Sequence, residues 1–389
     1  ALGPDQWARA AAGATVVGTR SAAWMPMPHL AAVLVIDEHH EALQEERAPT
    51  WHAREVVLER ARRLGAPAVL ASPVPSLEAL RSGPMLKPAR AVERDGWPVV
   101  QVVDKRSDDP ARGALFGDAV VPVLRDGGRV LCVLNRLGRS RLLACSACGE
   151  IARTDDGSSA LVLIDDELCA PDGGQARPVV CAHCGSTKLK NLRMGVTRAV
   201  HDLRALLGEP VDEVTAKTSS PARTRVVIGT EATLHRLDAV DTVVFLDFDQ
   251  ELLAQRQRAA EQALALIARA ARLIGARAAG RRLVIQTRQP DHAVVQAALR
   301  ADPSLVAVAE RDRRRALQIP PYSAQALVSG AAAEEFIAAL GRADGVRVRG
   351  PAQGRWLLRA ATHETLLDAL SRTPRPPGRL RIEVDPLRA

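Results

Sequence analysis

The sequence predicts an α/β chain whose second run of strands is interrupted by a cysteine-bearing insertion and followed by a small α+β segment. Three observations predict it. Short apolar runs alternate with stretches of helical spacing, the pattern of parallel strands joined by crossover helices. Two Cys-x-x-Cys pairs fall within one segment, about 142–193, in the middle of the second run of strands. The turn Ile319-Pro-Pro-Tyr322 opens a last segment, 323–389, in which four strand candidates accompany one helix candidate.

In order along the chain, residues 15–18, 32–36, 68–71 and 98–103 read as strands within the first hundred residues. Between the second and third, residues 53–64 place apolar side chains at helical spacing. Residues 84–96 and 104–113 have the composition of loops or a linker. The second series comprises 129–134, 211–215, 225–228, 242–246 and 282–286, each short, apolar and mostly bounded by Gly, Asp or polar residues. Residues 251–277 are rich in Ala and Leu and predict one long helix. In the last segment the strands are 325–328, 346–349, 355–359 and 379–384, with a helix at 364–372. No internal repeat is visible, and the one compositionally biased tract is the short Pro-rich 373–378.

A length of 389 residues suggests two or three domains, and 47% hydrophobic residues suffice for sizeable cores. Six cysteines in that length exclude a disulfide scaffold. No run of 18 or more apolar residues exists, which excludes a membrane-spanning helix. The start, ALGPDQWARA, has no apolar core for a signal peptide, and the first Met is Met25. The expectation is a cytoplasmic protein, seen as a piece of something longer. A net charge of +8, from 53 Lys+Arg against 45 Asp+Glu, fits an anionic partner such as nucleic acid; it fits a generally solvated arginine surface equally well. With only 3% aromatics, arginine–phosphate contacts are a better expectation than base stacking.

Four cysteines form two knuckles, Cys145-Ser-Ala-Cys148 and Cys181-Ala-His-Cys184, each followed by Gly. A Cys-x-x-Cys turn aims two thiolates at one point, and two such turns supply a tetrahedron of sulfur that suits zinc. Cys145, Cys148, Cys181 and Cys184 are therefore the metal-ligand candidates for one structural zinc ion. All four positions around the metal are then filled by protein, which leaves none for catalysis. His183 reads as a loop residue outside the ligand set, Cys132 as a buried strand residue, and Cys169 as a spare thiol.

The segment Val35-Ile-Asp-Glu-His-His40 ends an apolar strand in two acids, and its neighbourhood resembles the primosomal replication-restart family PriA (primosomal protein N′). Asp37, Glu38 and His40 resemble that family's DEAH-type box, and Val17-Gly-Thr-Arg-Ser-Ala22 the stretch before it. Trp51-His-Ala-Arg-Glu55 is similar to its Tyr-His-Ala-Arg stretch, and Asn135-Arg-Leu-Gly138 to the segment preceding its zinc insertion. Cys181-Ala-His-Cys-Gly-Ser186 resembles the last zinc knuckle, Ile228-Gly-Thr230 the start of motif V, and Ile319-Pro-Pro-Tyr322 the entry to the C-terminal domain. The resemblance runs in order from residue 7 to the end. It implies two RecA-like helicase lobes: an incomplete first lobe at 1–105, and a second at 115–315 carrying a zinc-binding insertion at 142–193. A small α+β C-terminal domain at 316–389 completes the chain.

Departures from the family pattern are as informative. A phosphate loop needs Gly-Lys-Ser/Thr, and none of the five lysines (Lys87, Lys105, Lys188, Lys190, Lys217) follows a Gly. The family's motif III stands as Ala71-Ser-Pro-Val-Pro-Ser76, without its Thr. Motif V continues as Glu231-Ala-Thr-Leu-His-Arg236 in place of Lys-Gly-His. Motif VI aligns with Arg269-Ala-Ala-Arg-Leu-Ile-Gly-Ala276, with Leu273 and Ala276 where two arginine fingers belong. Of the family's eight zinc cysteines only the first and fourth pairs remain; Thr154, Gly157 and Asp172 stand with Cys169 at the second zinc site. These losses resemble a helicase-inactive branch. They imply no catalytic residues, a relic box at Asp37, Glu38 and His40 in which the acids cap the following helix, and impaired ATP use. The implied function is a restart protein that binds forked or branched DNA and recruits primosome and replisome proteins. The alternative is an ATP-dependent 3′→5′ DNA helicase whose P-loop part is missing from this chain.

Overall fold

The structure is a computed structural model. It describes residues 3–386 except 49, 107–114, 136–142, 149, 151, 153, 156–160, 165–166, 171–175, 192–195, 216–217, 219–220, 255 and 279. Two compact units form. One combines Ala1–Lys87, Ala254–Ala265 and Asp302–Ala389; the other combines Pro88–Leu253 and Leu266–Ala301. In chain order the principal strands are β1 (Val33–Ile36), β2 (Ala68–Ala71), β3 (Val99–Asp104), β4 (Val130–Val133), β5 (Val211–Val214) and β6 (Val226–Gly229). They continue with β7 (Thr242–Phe245), β8 (Arg282–Thr287), β9 (Ala324–Ser329), β10 (Val346–Ala352), β11 (Arg355–Ala360) and β12 (Arg381–Val384).

The unit containing β3 to β8 is built on one six-stranded sheet, ordered β5-β6-β4-β7-β8-β3 and parallel throughout. Strands β4, β6 and β7 are buried at every residue, as the inner strands of a parallel sheet covered on both faces must be. That burial is why they read as continuous apolar runs instead of alternating ones. The helix Val196–Leu207 lays Ala199, Val200 and Leu203 against Leu124, Leu134, Val211 and Ile228 in the core. Cys132 lies in this core on β4, where burial pushes its thiol up to about 12.

In the other unit β1 and β2 form a parallel pair, Val33 opposite Ala68 through Ile36 opposite Ala71. The helix Ala53–Leu64 lies between them in the chain, its start capped by His52 Nδ1, which accepts from the Arg54 N–H. It stops at Gly65, whose φ of 65° is the left-handed conformation that terminates helices. The C-terminal part runs β9, the helix Ala333–Leu340, β10, β11, the helix His363–Arg372, β12, with sheet order β10-β11-β9-β12, all antiparallel. This is a split β-α-β arrangement. Both helices cover one face, where Phe336, Leu340 and Leu366 pack on Val328 and Leu358. Thr50 ties the sheet back to the rest of the unit: the Val384 N–H donates to Thr50 Oγ1 at 2.8 Å.

Several expectations are corrected. Residues 15–18 form no strand and Val17 is 94% exposed, since no neighbouring strand offers hydrogen bonds there among the described residues. The strand expected at 98–103 is β3, and it pairs with β8 in the six-stranded sheet instead of extending the β1–β2 pair. Part of 84–96, expected as loop, is the short helix Arg90–Asp95. The long helix expected over 251–277 breaks into Asp249–Leu252 and Ala259–Ile274. The break follows from tertiary packing: the chain passes between units after Leu253, and the Arg258 side chain is drawn into an ion pair with Glu78. The helix Ala333–Leu340 is not foreseen at all. Among the described residues no helix is long and apolar enough to cross a membrane.

Candidate metal centre and strand-end acids

The strand Leu143–Cys145 pairs antiparallel with Leu189–Asn191 and delivers Cys145 to the first knuckle. There the Ala147 N–H donates to Cys145 Sγ at 3.4 Å. The second knuckle is closed by the Cys181 N–H to Ser186 O and the Gly185 N–H to Cys181 O, both 2.9 Å. Gly185 sits at φ 72°, a conformation that favours glycine. The two turns bring Cys145 Sγ within 3.5 Å of Cys184 Sγ, and Cys148 Sγ within 3.6 Å of Cys181 Sγ. All four sulfurs lie within 4.8 Å of one another. These separations far exceed a disulfide bond. They approach the roughly 3.8 Å edge of a tetrahedron built on Zn–S bonds of about 2.3 Å. The four cysteines can hold one metal ion. Cys145 and Cys181 are buried, Cys148 and Cys184 exposed.

The electrostatics agree with a cationic occupant. Backbone N–H groups of Cys148 and Ala147, helped by the neighbouring thiols, hold the Cys145 thiol down at about 6. The Glu150 N–H favours a thiolate on Cys148, but burial and the other three sulfurs outweigh it and push that thiol up to about 12. A thiolate therefore forms readily on Cys145. The insertion's apolar core is small, with Leu143, Ala152, Leu161, Leu168 and Ala170 buried, so a metal would contribute much of its folding energy. His183 and Cys169 do not join the cluster. Cys169 lies on a separate strand, Glu167–Cys169, while Gly157 and Asp172, beside it in the resemblance, lie outside the described residues, as do Gly149 and 136–138 of the Asn135 segment.

Asp37 and Glu38 follow β1 directly. Asp37 turns the chain at φ 53°, and its carbonyl accepts from the His40 N–H at 2.8 Å. Glu38 is 0% exposed and points inward. Its Oε1 accepts the Ser76 N–H at 2.7 Å; its Oε2 accepts the Ser76 hydroxyl and Arg54 Nη1, each at 2.8 Å. Arg54 also donates to Ser76 Oγ at 3.0 Å. The expectation that the acids cap the following helix is corrected. His40 caps it, Nδ1 accepting from the Ala42 N–H at 3.0 Å, and the element is a single tight turn, Glu41–Leu43.

Beyond this pair, sequence reasoning missed a buried ionic network in the same unit. Arg258 pairs with Glu78, and Arg314, 1% exposed, pairs with Glu261 and Glu310. Burial opposes ionisation of Glu78, yet Arg258, Arg54 and Arg314 hold its carboxyl far below the usual range. In the other unit the strand ends are acidic. The Glu231 N–H donates to Asn135 Oδ1 at 2.7 Å, and Asn135 Nδ2 donates to Glu231 and Glu251 at 3.2 and 3.0 Å. Thus a carboxylate occupies the position where the motif resemblance would put a lysine. Leu273 is buried in its helix and Ala276 lies in the exposed turn after it.

No protein-family model matches the chain. The chain is 31% identical over 351 residues to the probable replication restart protein PriA of Mycobacterium leprae, which covers 84% of this chain and 54% of that protein. It is 26% identical over 361 residues to replication restart protein PriA of Haemophilus influenzae, covering 85% and 50%. Against the Bacillus subtilis protein of the same name it is 26% identical over 344 residues, covering 81% and 43%. The chain spans about half the length of these relatives.

Proposed function

The chain belongs with the replication restart proteins PriA by homology over most of its own length, and from that footing we propose that it acts in replication restart by binding forked or branched DNA and recruiting replication proteins, without unwinding DNA. One observation carries the inactive reading. Both oxygens of Glu38, the box glutamate, are committed to Arg54 and Ser76 in a fully buried site. Three of the roughly four acceptor sites of that carboxylate are filled, and its burial keeps the group from reaching solvent-borne magnesium or an attacking water. Glu231 stands where the motif resemblance would put a lysine, and so brings negative charge in place of positive. In this reading zinc is held by Cys145, Cys148, Cys181 and Cys184 and supplies folding energy to the insertion, with no open position for chemistry.

The test is DNA-stimulated ATP hydrolysis by the full-length protein, run beside binding to forked and linear duplexes. Tight binding to the fork with no stimulated turnover is expected. Robust turnover that Glu38→Gln abolishes would establish the helicase alternative, and failure to bind forked DNA would remove the DNA role.

A further inference from the structure

The four sulfurs that can hold a metal are also placed for a second chemistry. Cys145 Sγ meets Cys184 Sγ at 3.5 Å, and Cys148 Sγ meets Cys181 Sγ at 3.6 Å. Each contact joins one knuckle to the other, across 39 and 33 residues of sequence. The two contacts share no sulfur, so they are opposite edges of the tetrahedron and both can close together. A disulfide bond needs about 2.05 Å between sulfurs, which leaves each edge about 1.5 Å to close, the reach of a small side-chain rotation. Each contact also pairs a buried sulfur with an exposed one, since Cys145 and Cys181 are buried and Cys148 and Cys184 exposed. An oxidant arriving from solvent meets the exposed sulfur first and leaves the buried partner in place to resolve it. The other two thiols stand apart. Cys132 is buried in the core of the six-stranded sheet, and Cys169 donates to Glu167 O at 3.8 Å within its own strand.

We propose that the cluster is a reversible oxidation site, at which peroxide exchanges the metal for two cross-knuckle disulfides, Cys145–Cys184 and Cys148–Cys181. The proposal rests on the reading of the cluster as a zinc site. The Cys184 thiolate attacks one peroxide oxygen; the O–O bond breaks, Cys184 becomes a sulfenic acid and hydroxide leaves. The Cys145 thiolate then attacks the Cys184 sulfur, forming the S–S bond and expelling a second hydroxide. Cys148 and Cys181 react with a second peroxide in the same way. Each bridge gives two electrons to one peroxide, which is reduced to two hydroxides. The metal ligand is the thiolate, so the bridged sulfurs give up the zinc ion. The bridges tie the knuckles together in its place and constrain the unfolded chain, so the insertion keeps its fold despite a buried core of a few residues. A thiol reductant attacks the bridges, restores the four thiolates and lets zinc return.

The experiment treats the intact zinc-loaded protein with hydrogen peroxide. Zinc release is followed with a chromogenic chelator too weak to strip the untreated protein, beside a thiol count in denaturant. Loss of all bound zinc and a fall from six reactive thiols to two are expected, with recovery of both on adding dithiothreitol and zinc. Neither knuckle contains Lys or Arg, and Arg153 lies between them. After trypsin, cross-knuckle bridges therefore join two peptides, whereas bridges within a knuckle leave them separate. Far-ultraviolet circular dichroism should hold after peroxide and fall after chelation. Cys169→Ser should release zinc at the same rate. Zinc retained after peroxide, with the zinc content of the untreated protein established, overturns this proposal and leaves the zinc reading standing. Bridges within the knuckles, irreversible sulfonic acids, or a loss of structure equal to that on chelation also overturn it. Slowed release in Cys169→Ser overturns it in favour of Cys169 as the resolving thiol. A protein that holds no zinc before oxidation removes the zinc reading itself, and the exchange with it.

Discussion

Glu38 and Arg54, sixteen residues apart in sequence, meet at 2.8 Å with side-chain exposures of 0% and 6%. Ser76 completes the site from a third segment, giving both its N–H and its hydroxyl to the same carboxylate. A glutamate at the end of a strand in such a box would be read as catalytic from its position alone. Its contacts make it a structural staple that fastens β1, the helix Ala53–Leu64 and the start of the helix Leu77–Ser82 together.

Glu38→Ala strands a buried guanidinium and should destabilise the protein by about 3–5 kcal/mol. Replacing both partners, Glu38→Leu with Arg54→Leu, should recover a large part of that loss, because no charge is left uncompensated. Denaturant unfolding of the single and double variants measures the difference. Unchanged midpoints in the single variants would show that the pair does not hold the fold.

The four-cysteine cluster predicts one zinc per chain by elemental analysis. A chelator, or Cys145→Ser, should release that ion and melt the insertion, whose buried core is only a few residues. The six-stranded sheet has its own core and should keep its structure, so far-ultraviolet circular dichroism should fall only in part. A zinc content of zero or two, or a global collapse on chelation, would contradict the prediction.

Two histidines give stability opposite slopes in pH. Burial, reinforced by Arg54, pushes His52 down to about 3, so the unfolded chain binds its proton more readily than the fold does. Its contribution is present above the ordinary value of 6.5 and is lost as pH falls below that value. His363 is raised, chiefly by its hydrogen bond to Asp385. Its contribution is complete below 6.5 and is lost as pH rises through the raised value. Thermal unfolding against pH should therefore show an acid limb that His52→Asn flattens, since asparagine also caps helices, and an alkaline limb that Asp385→Asn flattens.

Gly229, at the end of β6, admits no side chain. A Cβ there would lie 2.1 Å from Val214 O and 2.2 Å from Thr233 Oγ1. Gly229→Ala should force β5 and β6 apart and destabilise the protein by about 1–3 kcal/mol, the range of overpacked cores. Gly208→Ala, at φ 69° with open space around it, tests backbone strain alone and should have a smaller effect. Unfolding midpoints of the two variants decide between crowding and conformation.

The features legible in the sequence are local ones. The two cysteine knuckles could be read because a Cys-x-x-Cys turn gathers its own sulfurs, and because fully buried parallel strands such as β4, β6 and β7 must be apolar at every position. The helix Ala53–Leu64 could be read with its boundaries, since its amphipathic spacing and Gly65 both lie within the segment. The break before Ala259 could not, because Ala and Leu favour helix throughout 251–277 and the interruption comes from Arg258 meeting Glu78, 180 residues away. The placement of β3 beside β8 was hidden for the same reason: an apolar strand does not name its neighbour.

By itself the sequence determined most of the strands of the six-stranded sheet, the clustering of the four cysteines and the order of motifs shared with the chain's relatives, since each is written in residues a few positions apart. Only the tertiary structure decided what Glu38 does, because its fate depends on Arg54 and Ser76 arriving from other segments and excluding water. It alone also paired the sulfurs. A Cys-x-x-Cys spacing does not say which thiol of one knuckle meets which of the other, whereas the fold sets Cys145 beside Cys184 and Cys148 beside Cys181.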